Sequence, residues 1–533
     1  MAKKIKVNTI NALYNCSFAD PWVEVAKILK DKYNIEPVYW IGYDDDHSRE
    51  IIPDLFPEAI YHEYFDAWKG VFPQEIEKIA NRYGVDVDFY QRISRFELQG
   101  LKLMDRMDAD QKSFGFSERR NLFRKFLRYW TAIIDYYKVD IVINPVMPHR
   151  SFDFPLYLVC KEKGIKLFGF FSTPFSSAGR IIGVDDIYSI PDKIKQDYQI
   201  LSKNKNPLKF AKDIQSNIDA VRKTYKDAIP PGLLESTKFF KKKPGVIQTG
   251  LKFLNELFYK RTVWFGKNGW LVNGVPTYHK DPKKKVERSK SRQKLIPYSY
   301  RIYKRIRFLR SLEKEYSKTQ RKPDLTKPYA IFALHYQPEA TTMPRAGVFY
   351  DHLYTLELLS KYLPWDWQIH IKESPHQFNP IAEGNTGRML RFYRDALKFP
   401  RVSFVPVETN PFTLIDQAKA VITLAGTIGW EGMVRGKPVI CFGPSWYEYF
   451  THGVLRIKNT VDLEKMTDFI NNYKYNEKEL NIYLKAIENN SILAYFRRGL
   501  KKKMSLNQNQ CIDNLVCHVT DYLELSSNNN KKS

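Results

Sequence analysis

Apolar and polar positions along the first two hundred residues switch between two periods. Ile5 to Ala12 and Pro37 to Ile41 read as strands, and between them Trp22 to Tyr33 carries its apolar residues at the spacing of an amphipathic helix. A mostly helical stretch follows from Phe72 to Tyr137. Asp140-Ile-Val-Ile-Asn144 then predicts a short buried strand, Phe154 to Lys163 a helix, and Lys166 to Phe171 another strand. Such alternation predicts a parallel sheet in a doubly wound domain.

From about Asp197 to Lys327 the alternation gives way to charged helical stretches broken by Pro230-Pro231, Pro244-Gly245 and Asp281-Pro282. It resumes with strand-like runs at Tyr329 to Leu334, Trp367 to Lys372, Val402 to Val405, Ala420 to Leu424 and Pro438 to Phe442. Helices at Phe349 to Tyr362 and Pro411 to Gln417 lie between them, and the chain past Asp462 reads as helical to a polar tail, Ser526 to Ser533. The predicted fold class is α/β, with two Rossmann-like doubly wound domains and a basic helical insertion. The expected divisions are 1–196, 197–327, 328–480, and a C-terminal helical segment and tail, 481–533. Ligands of such domains sit at the carboxyl ends of the strands, so function is sought in the strand-to-helix loops.

Composition narrows the class. A length of 533 residues accommodates two domains and an insertion, and 43% hydrophobic with 15% aromatic content supplies their cores, which excludes wholesale disorder. Asn8, Thr9 and Asn11 interrupt the apolar run that an export signal needs, and no stretch of about 18 apolar residues predicts a membrane span. Five scattered cysteines show no zinc spacing and suit a reducing compartment. These features predict a cytoplasmic protein, with or without a peripheral hold on the inner membrane face.

The net charge of +26 is concentrated. Between Asp281 and Leu325 stand 16 Lys and Arg against 5 Asp and Glu. Tyr298, Tyr300, Tyr303, Phe308, Leu309 and Leu312 interleave there with Arg301, Lys304, Arg305, Arg307 and Arg310, an amphipathic pattern with a cationic face. Lys241 to Lys243 and Arg497 to Lys503 repeat it on a smaller scale. Two readings stand side by side: a solvated face, or contact with an anionic membrane or ligand. No nucleic-acid-binding motif accompanies the charge, and nucleic acid is not an expected partner.

Four segments carry candidate chemistry. In Ala420 to Gly443 a buried strand ends at Gly426-Thr427 and a helix begins. Gly426 lets a phosphate approach the backbone, Thr427 can donate its hydroxyl, free amides add partial positive charge, and Glu431 one turn on can reach a ribose. The alternative is that these glycines serve strand–helix packing. After the Tyr329 strand, Ala333 to Gly347 crowds His335, Gln337, Glu339 and Thr341 into one loop, a sugar site or a set of turn residues around a satisfied histidine. Past the Trp367 strand, Lys372 can neutralise a phosphate, Ser374 can donate to one, and His376 can protonate a leaving group. In the first domain, Asp153 reads as a nucleophile or base with His149 and Arg150 beside it, or as a helix N-cap. Asp44 to Asp46 and Asp108 to Asp110 match a short metal motif outside the right strand context, and no metal or cofactor is expected.

Five motifs together resemble the capsule polysaccharide biosynthesis family: Leu-His-Tyr-Gln-Pro-Glu-Ala-Thr-Thr at 334–342, Leu-Ser-Lys-Tyr-Leu-Pro at 359–364, Lys-Glu-Ser-Pro at 372–375, Gly-Thr-Ile-Gly-Trp-Glu at 426–431, and Gly-Lys-Pro-Val-Ile-Cys-Phe-Gly-Pro-Ser-Trp-Tyr at 436–447. The likeness covers roughly the last 200 residues and, more loosely, Pro148 to Tyr157. It implies a metal-independent glycosyltransferase of the GT-B fold, taking Kdo or a related keto-deoxy acid sugar from a CMP donor to a glycan or lipid-linked glycan acceptor. Relatives carry Lys-Glu-His-Pro where this chain has Ser374. A CDP-linked polyol-phosphate transferase, and a non-catalytic binder of anionic surfaces or nucleic acid, remain as alternatives.

Overall fold

The computed structural model describes residues 9–16, 19–43, 47–108, 114–175, 179–203, 209–228, 298–379, 384–495 and 506–525, with one short antiparallel pair, Thr277–Tyr278 and Lys285–Val286. The clusters Lys241 to Lys243 and Arg497 to Lys503, the Asp44 to Asp46 match, residues 109–110 of the second match, the three proline punctuations, residues 5–8 of the first expected strand, most of 281–297 and the Ser526 to Ser533 tail lie outside the described residues.

Two sheets organise the chain. The first holds β1 (Ile10–Asn15), β2 (Ile35–Gly42), β3 (Ile60–Glu63), β4 (Ile141–Asn144), β5 (Lys166–Ser172) and β6 (Arg180–Val184). The second holds β7 (Tyr329–Ala333), β8 (Gln368–Lys372), β9 (Val402–Phe404), β10 (Ala420–Thr423), β11 (Val439–Cys441) and β12 (Val454–Arg456). A last short strand, β13 (Ile492–Leu493), returns to the first sheet, giving the orders β13-β6-β5-β4-β1-β2-β3 and β9-β8-β7-β10-β11-β12. The second sheet is wholly parallel, while β6 and β13 add an antiparallel edge to the first. The α/β class with two doubly wound units is therefore observed as expected.

Burial on both faces explains the near-continuous apolar strands. Ile141 and Ile143 point into a cluster with Trp22, Val25 and Leu29 of the helix Trp22–Tyr33, whereas Val142 points to the other face, among Phe126, Trp130 and Ile133 of the helix Phe116–Tyr136. In the second sheet Ile331 and Val421 face one way and Phe332 and Ile422 the other. The cluster under Ile331 continues into that under Val142 through Phe175, whose ring meets Trp430 and Trp446 at 5.5 Å, so the two units share one apolar seam.

Within the expected C-terminal segment, the helix Gln508–Tyr522 sends Cys511, Leu515 and Val519 into the Trp22 cluster of the first sheet. The basic helix Tyr298–Thr319 turns part of its apolar stripe inward. Leu309 and Leu312 are fully buried with Phe332 and Phe404 of the second sheet, and Phe308 packs against that cluster. From residue 303 on, its exposed side chains are Tyr303, Lys304, Arg307, Arg310, Lys314, Ser317 and Lys318, while Arg305 is buried. No helix among the described residues is long and apolar enough to cross a membrane.

Candidate functional site

Strand register lines up the candidate loops. Lys372 pairs with Ala333, Phe332 with Ile422, and Thr423 with Cys441, so Lys372, Ala333, Thr423 and Cys441 form one row across β8, β7, β10 and β11 at their carboxyl ends. Everything that follows these positions in the chain opens onto the same rim.

At the centre of the rim, His335 is tied on both sides. Its Nε2 accepts from the Ala425 amide at 3.3 Å and lies 3.2 Å from Thr423 Oγ1, which in turn accepts from the Gly426 amide at 3.0 Å. Nε2 is thus the acceptor, and Nδ1–H faces Glu339 Oε2 at 3.3 Å and Thr341 Oγ1 at 3.2 Å. The loop after β7 and the turn after β10 are joined through one imidazole. Burial would raise the Glu339 carboxyl, but the His335 hydrogen bond and charge, with Thr341 and His376, hold it below the ordinary carboxylate range. His376 packs against Tyr336 with ring centres 5.6 Å apart, and burial lowers its imidazole against the pull of Glu339.

Gly426 is the N-cap of the helix Thr427–Val434, where Thr427 is exposed; the Gly429 amide already donates to the Gly426 carbonyl at 3.1 Å, which leaves the Thr427 and Ile428 amides as the helix-start donors. The glycines of this helix divide by role. A Cβ on Gly432 would stand 2.9 Å from Val421 Cγ2 and one on Gly429 2.3 Å from the Tyr447 hydroxyl, so both serve packing; a Cβ on Gly426 would instead meet Thr423 Oγ1 at 2.9 Å and His335 at 3.1 Å, inside the site. Gly436, at φ +73°, stops the helix just beyond. Glu431 is buried, no hydrogen-bond donor among the described residues reaches its carboxylate, and desolvation, eased by Arg435, pushes it up to about 7. An enclosed acceptor with nothing to accept from is what a hydroxyl-bearing ligand would satisfy.

The loop after β8 has a different character. Lys372 is nearly enclosed and donates to the Val407 carbonyl at 2.6 Å, and burial lowers its ammonium to about 8. Ser374 is half-buried, with its amide donating to Glu373 Oε1 at 2.9 Å. The sequence reading passed over Arg388, which organises this rim. Fully enclosed, it pairs with Glu373 at 3.1 Å, donates to the His335 carbonyl at 2.9 Å and to His352 Nδ1 at 2.8 Å, and reaches Gln337. Tyr393 adds a hydrogen bond to Glu373 at 2.9 Å. No spacing signal marks Arg388, because its meaning depends wholly on burial.

Asp153, His149 and Arg150 gather in the first unit, ahead of the helix Asp153–Lys163. Asp153 is fully enclosed: Oδ1 accepts from the His149 amide at 2.9 Å and the Arg150 amide at 2.5 Å, and Oδ2 pairs with the Arg150 guanidinium at 3.0 Å. Desolvation raises the carboxyl, opposed by the Arg150 charge and these bonds. The helix cap is Phe152, so Asp153 is not the N-cap; its carboxylate instead folds back to clamp the 149–150 backbone. His149 Nδ1 lies 2.7 Å from the Met147 carbonyl.

Residues 352–459 match the family model described as "Capsule polysaccharide biosynthesis protein". That span contains four of the five motifs read from the sequence and leaves out the one at 334–342. No curated protein matches the chain. Among solved structures it is similar to Thermosulfurimonas dismutans KpsC, beta Kdo 2,7 transferase, at 17% identity over 40% of this chain and 64% of that one, TM-score 0.24. It is similar to Thermosulfurimonas dismutans KpsC, beta Kdo 2,4 transferase, at 12% over 71% and 87%, TM-score 0.27, and to UDP-GlcNAc 2-epimerase from Methanocaldococcus jannaschii at 12% over 88% and 94%, TM-score 0.23. Superpositions this loose carry no residue role across.

Proposed function

We propose, from the premise that residues 352–459 belong to the capsule polysaccharide biosynthesis family, that this chain is a glycosyltransferase of surface-polysaccharide synthesis. Its donor is a nucleotide-activated sugar, a CMP-linked keto-deoxy acid sugar of the Kdo type, and its acceptor a glycan or lipid-linked glycan.

The observation that carries the reading is the rim at Gly426. A backbone stripped of Cβ, an exposed Thr427 and the Thr427 and Ile428 amides at the helix start would make a seat for a phosphate, and the buried Glu431 one turn on would supply an acceptor for ribose hydroxyls. Lys372 adds positive charge along the same row of strand ends. Ser374 and His376 follow it in the same loop, and the 3.3 Å contact of His335 with Glu339 supports a role for the pair in passing a proton to or from a reacting oxygen. Asp153 is the proposed carboxylate for attack at the anomeric carbon, which requires Oδ2 to leave Arg150 as substrate arrives.

Product analysis tests the reaction. Incubation with the CMP-linked donor and a capsule-type glycan is expected to release CMP and form a glycosidic bond. Formation of a phosphodiester would reassign the chain to CDP-linked polyol-phosphate transfer, and an absence of acceptor-dependent nucleotide release would end the enzymatic reading.

A further inference from the structure

We infer that Arg345 is an anion-recognition residue at the seam of the two units, holding a carboxylate or phosphate group of the bound ligand; the inference rests on the donor-site reading above and adds to it the charge the ligand must carry. Arg345 lies in the loop after β7, four residues past Thr341, and is 6% exposed. Its guanidinium carbon stands 3.3 Å from the centre of the Phe171 ring on β5, and Nη2 donates to the Pro444 carbonyl beyond β11 at 2.8 Å. It therefore touches both halves of the molecule at their seam.

Its charge is not answered. Nε is enclosed without a hydrogen-bond partner, and no carboxylate among the described residues reaches ion-pair distance. The acids that act on it from farther away are already engaged, Glu448 with Arg456 at 3.2 Å and Glu339 with His335 at 3.3 Å. Taking a cation out of water without a counter-charge is among the costliest things a fold can do, and a hydrophobic side chain of similar length would fill the gap between Phe171 and Pro444 without that cost. A tie between the two halves thus explains the stacking but not the charge. The planar fork of a guanidinium matches carboxylate and phosphate oxygens, and an oxyanion arriving at the seam would complete the missing pair.

The test uses the full chain, the variants R345M and R345K, and calorimetric titration with inorganic phosphate, pyruvate, cytidine, CMP and a CMP-linked keto-deoxy acid sugar. R345M, which relieves the buried charge, is expected to unfold at or above the wild-type temperature and to lose about 30-fold in affinity for the anionic ligand, the effect of one charge-assisted contact. If the recognised anion is the phosphate, the loss already separates CMP from cytidine; if it is the sugar carboxylate, CMP binds unchanged and the loss is confined to the acid-sugar donor. R345K, with charge but no fork, recovers part of the affinity. Wild-type binding of phosphate or pyruvate that R345M abolishes, with no binding of any cytidine compound, would keep the anion site and discard the donor reading. R345M binding every probe as wild type does would overturn the role of Arg345 and leave the donor reading standing, and wild-type indifference to all five would overturn both.

Discussion

Replacing Glu431 by Gln tests whether the enclosed carboxylate beside the Gly426 turn is kept for a ligand. The folded protein holds the Glu431 proton up to about pH 7, because burial disfavours the anion more than Arg435 favours it, while the ordinary value is 4.5. Between those limits the folded state binds the extra proton, so this group's contribution to stability is present at low pH and lost as pH rises through 7. The gap, at about 1.36 kcal/mol per pH unit, is on the order of 3 kcal/mol. E431Q keeps the shape and cannot ionise. In urea titrations followed by tryptophan fluorescence, the variant should match wild type near pH 4.5 and exceed it by on the order of 3 kcal/mol at pH 8. At pH 8, where Glu431 is ionised, the same variant should bind CMP about 10- to 100-fold more weakly, since a charged acceptor for the ribose has gone. A stability difference that stays flat from pH 5 to 8 would refute the burial argument. Undiminished CMP affinity would refute the ligand role.

Other substitutions separate scaffold from chemistry. R388M should cost about 3–5 kcal/mol in urea titrations, because it leaves Glu373 enclosed without its cation; a loss below about 1 kcal/mol would show that Tyr393 and the Ser374 amide hold the carboxylate unaided. D153N retains an oxygen for the His149 and Arg150 amides but cannot attack, so transfer should fall by roughly a thousandfold or more with CMP binding unchanged; wild-type turnover would leave Asp153 as a backbone clamp only. G432A should destabilise by about 1–3 kcal/mol through its clash with Val421 while sparing nucleotide affinity, as a packing glycine requires.

Both doubly wound units were readable because parallel strands buried on two faces leave unbroken apolar runs, as in Ile141 to Ile143 and Val421 to Ile422. The edges were not. β3 is four residues with His62 and Glu63 among them, β12 ends on Arg456, and β6 carries Arg180 beside β13, so none shows the apolar run that marks a central strand. The helix Tyr298–Thr319 shows the limit of amphipathicity: a stripe of Leu309 and Leu312 says that something covers it, and only the fold says that Phe332 and Phe404 do. At the site, loops at strand ends pointed to His335, Glu339 and Gly426. Arg388 and Arg345 escaped notice because an arginine in a sequence looks solvated until its surroundings are known.

The central claim is that the Gly426 turn seats a cytidine monophosphate. Calorimetric titration of CMP into wild type and G426A tests it most directly, since the added Cβ would stand 2.9 Å from Thr423 Oγ1 and 3.1 Å from His335 at a backbone φ of −81° that any residue can adopt. Saturable binding to wild type is expected, weakened at least about tenfold in G426A at temperatures where the variant is still folded, its unfolding temperature falling because Thr423 and His335 must shift. Equal affinity in the two proteins, or no binding of CMP to wild type at any concentration, would contradict it.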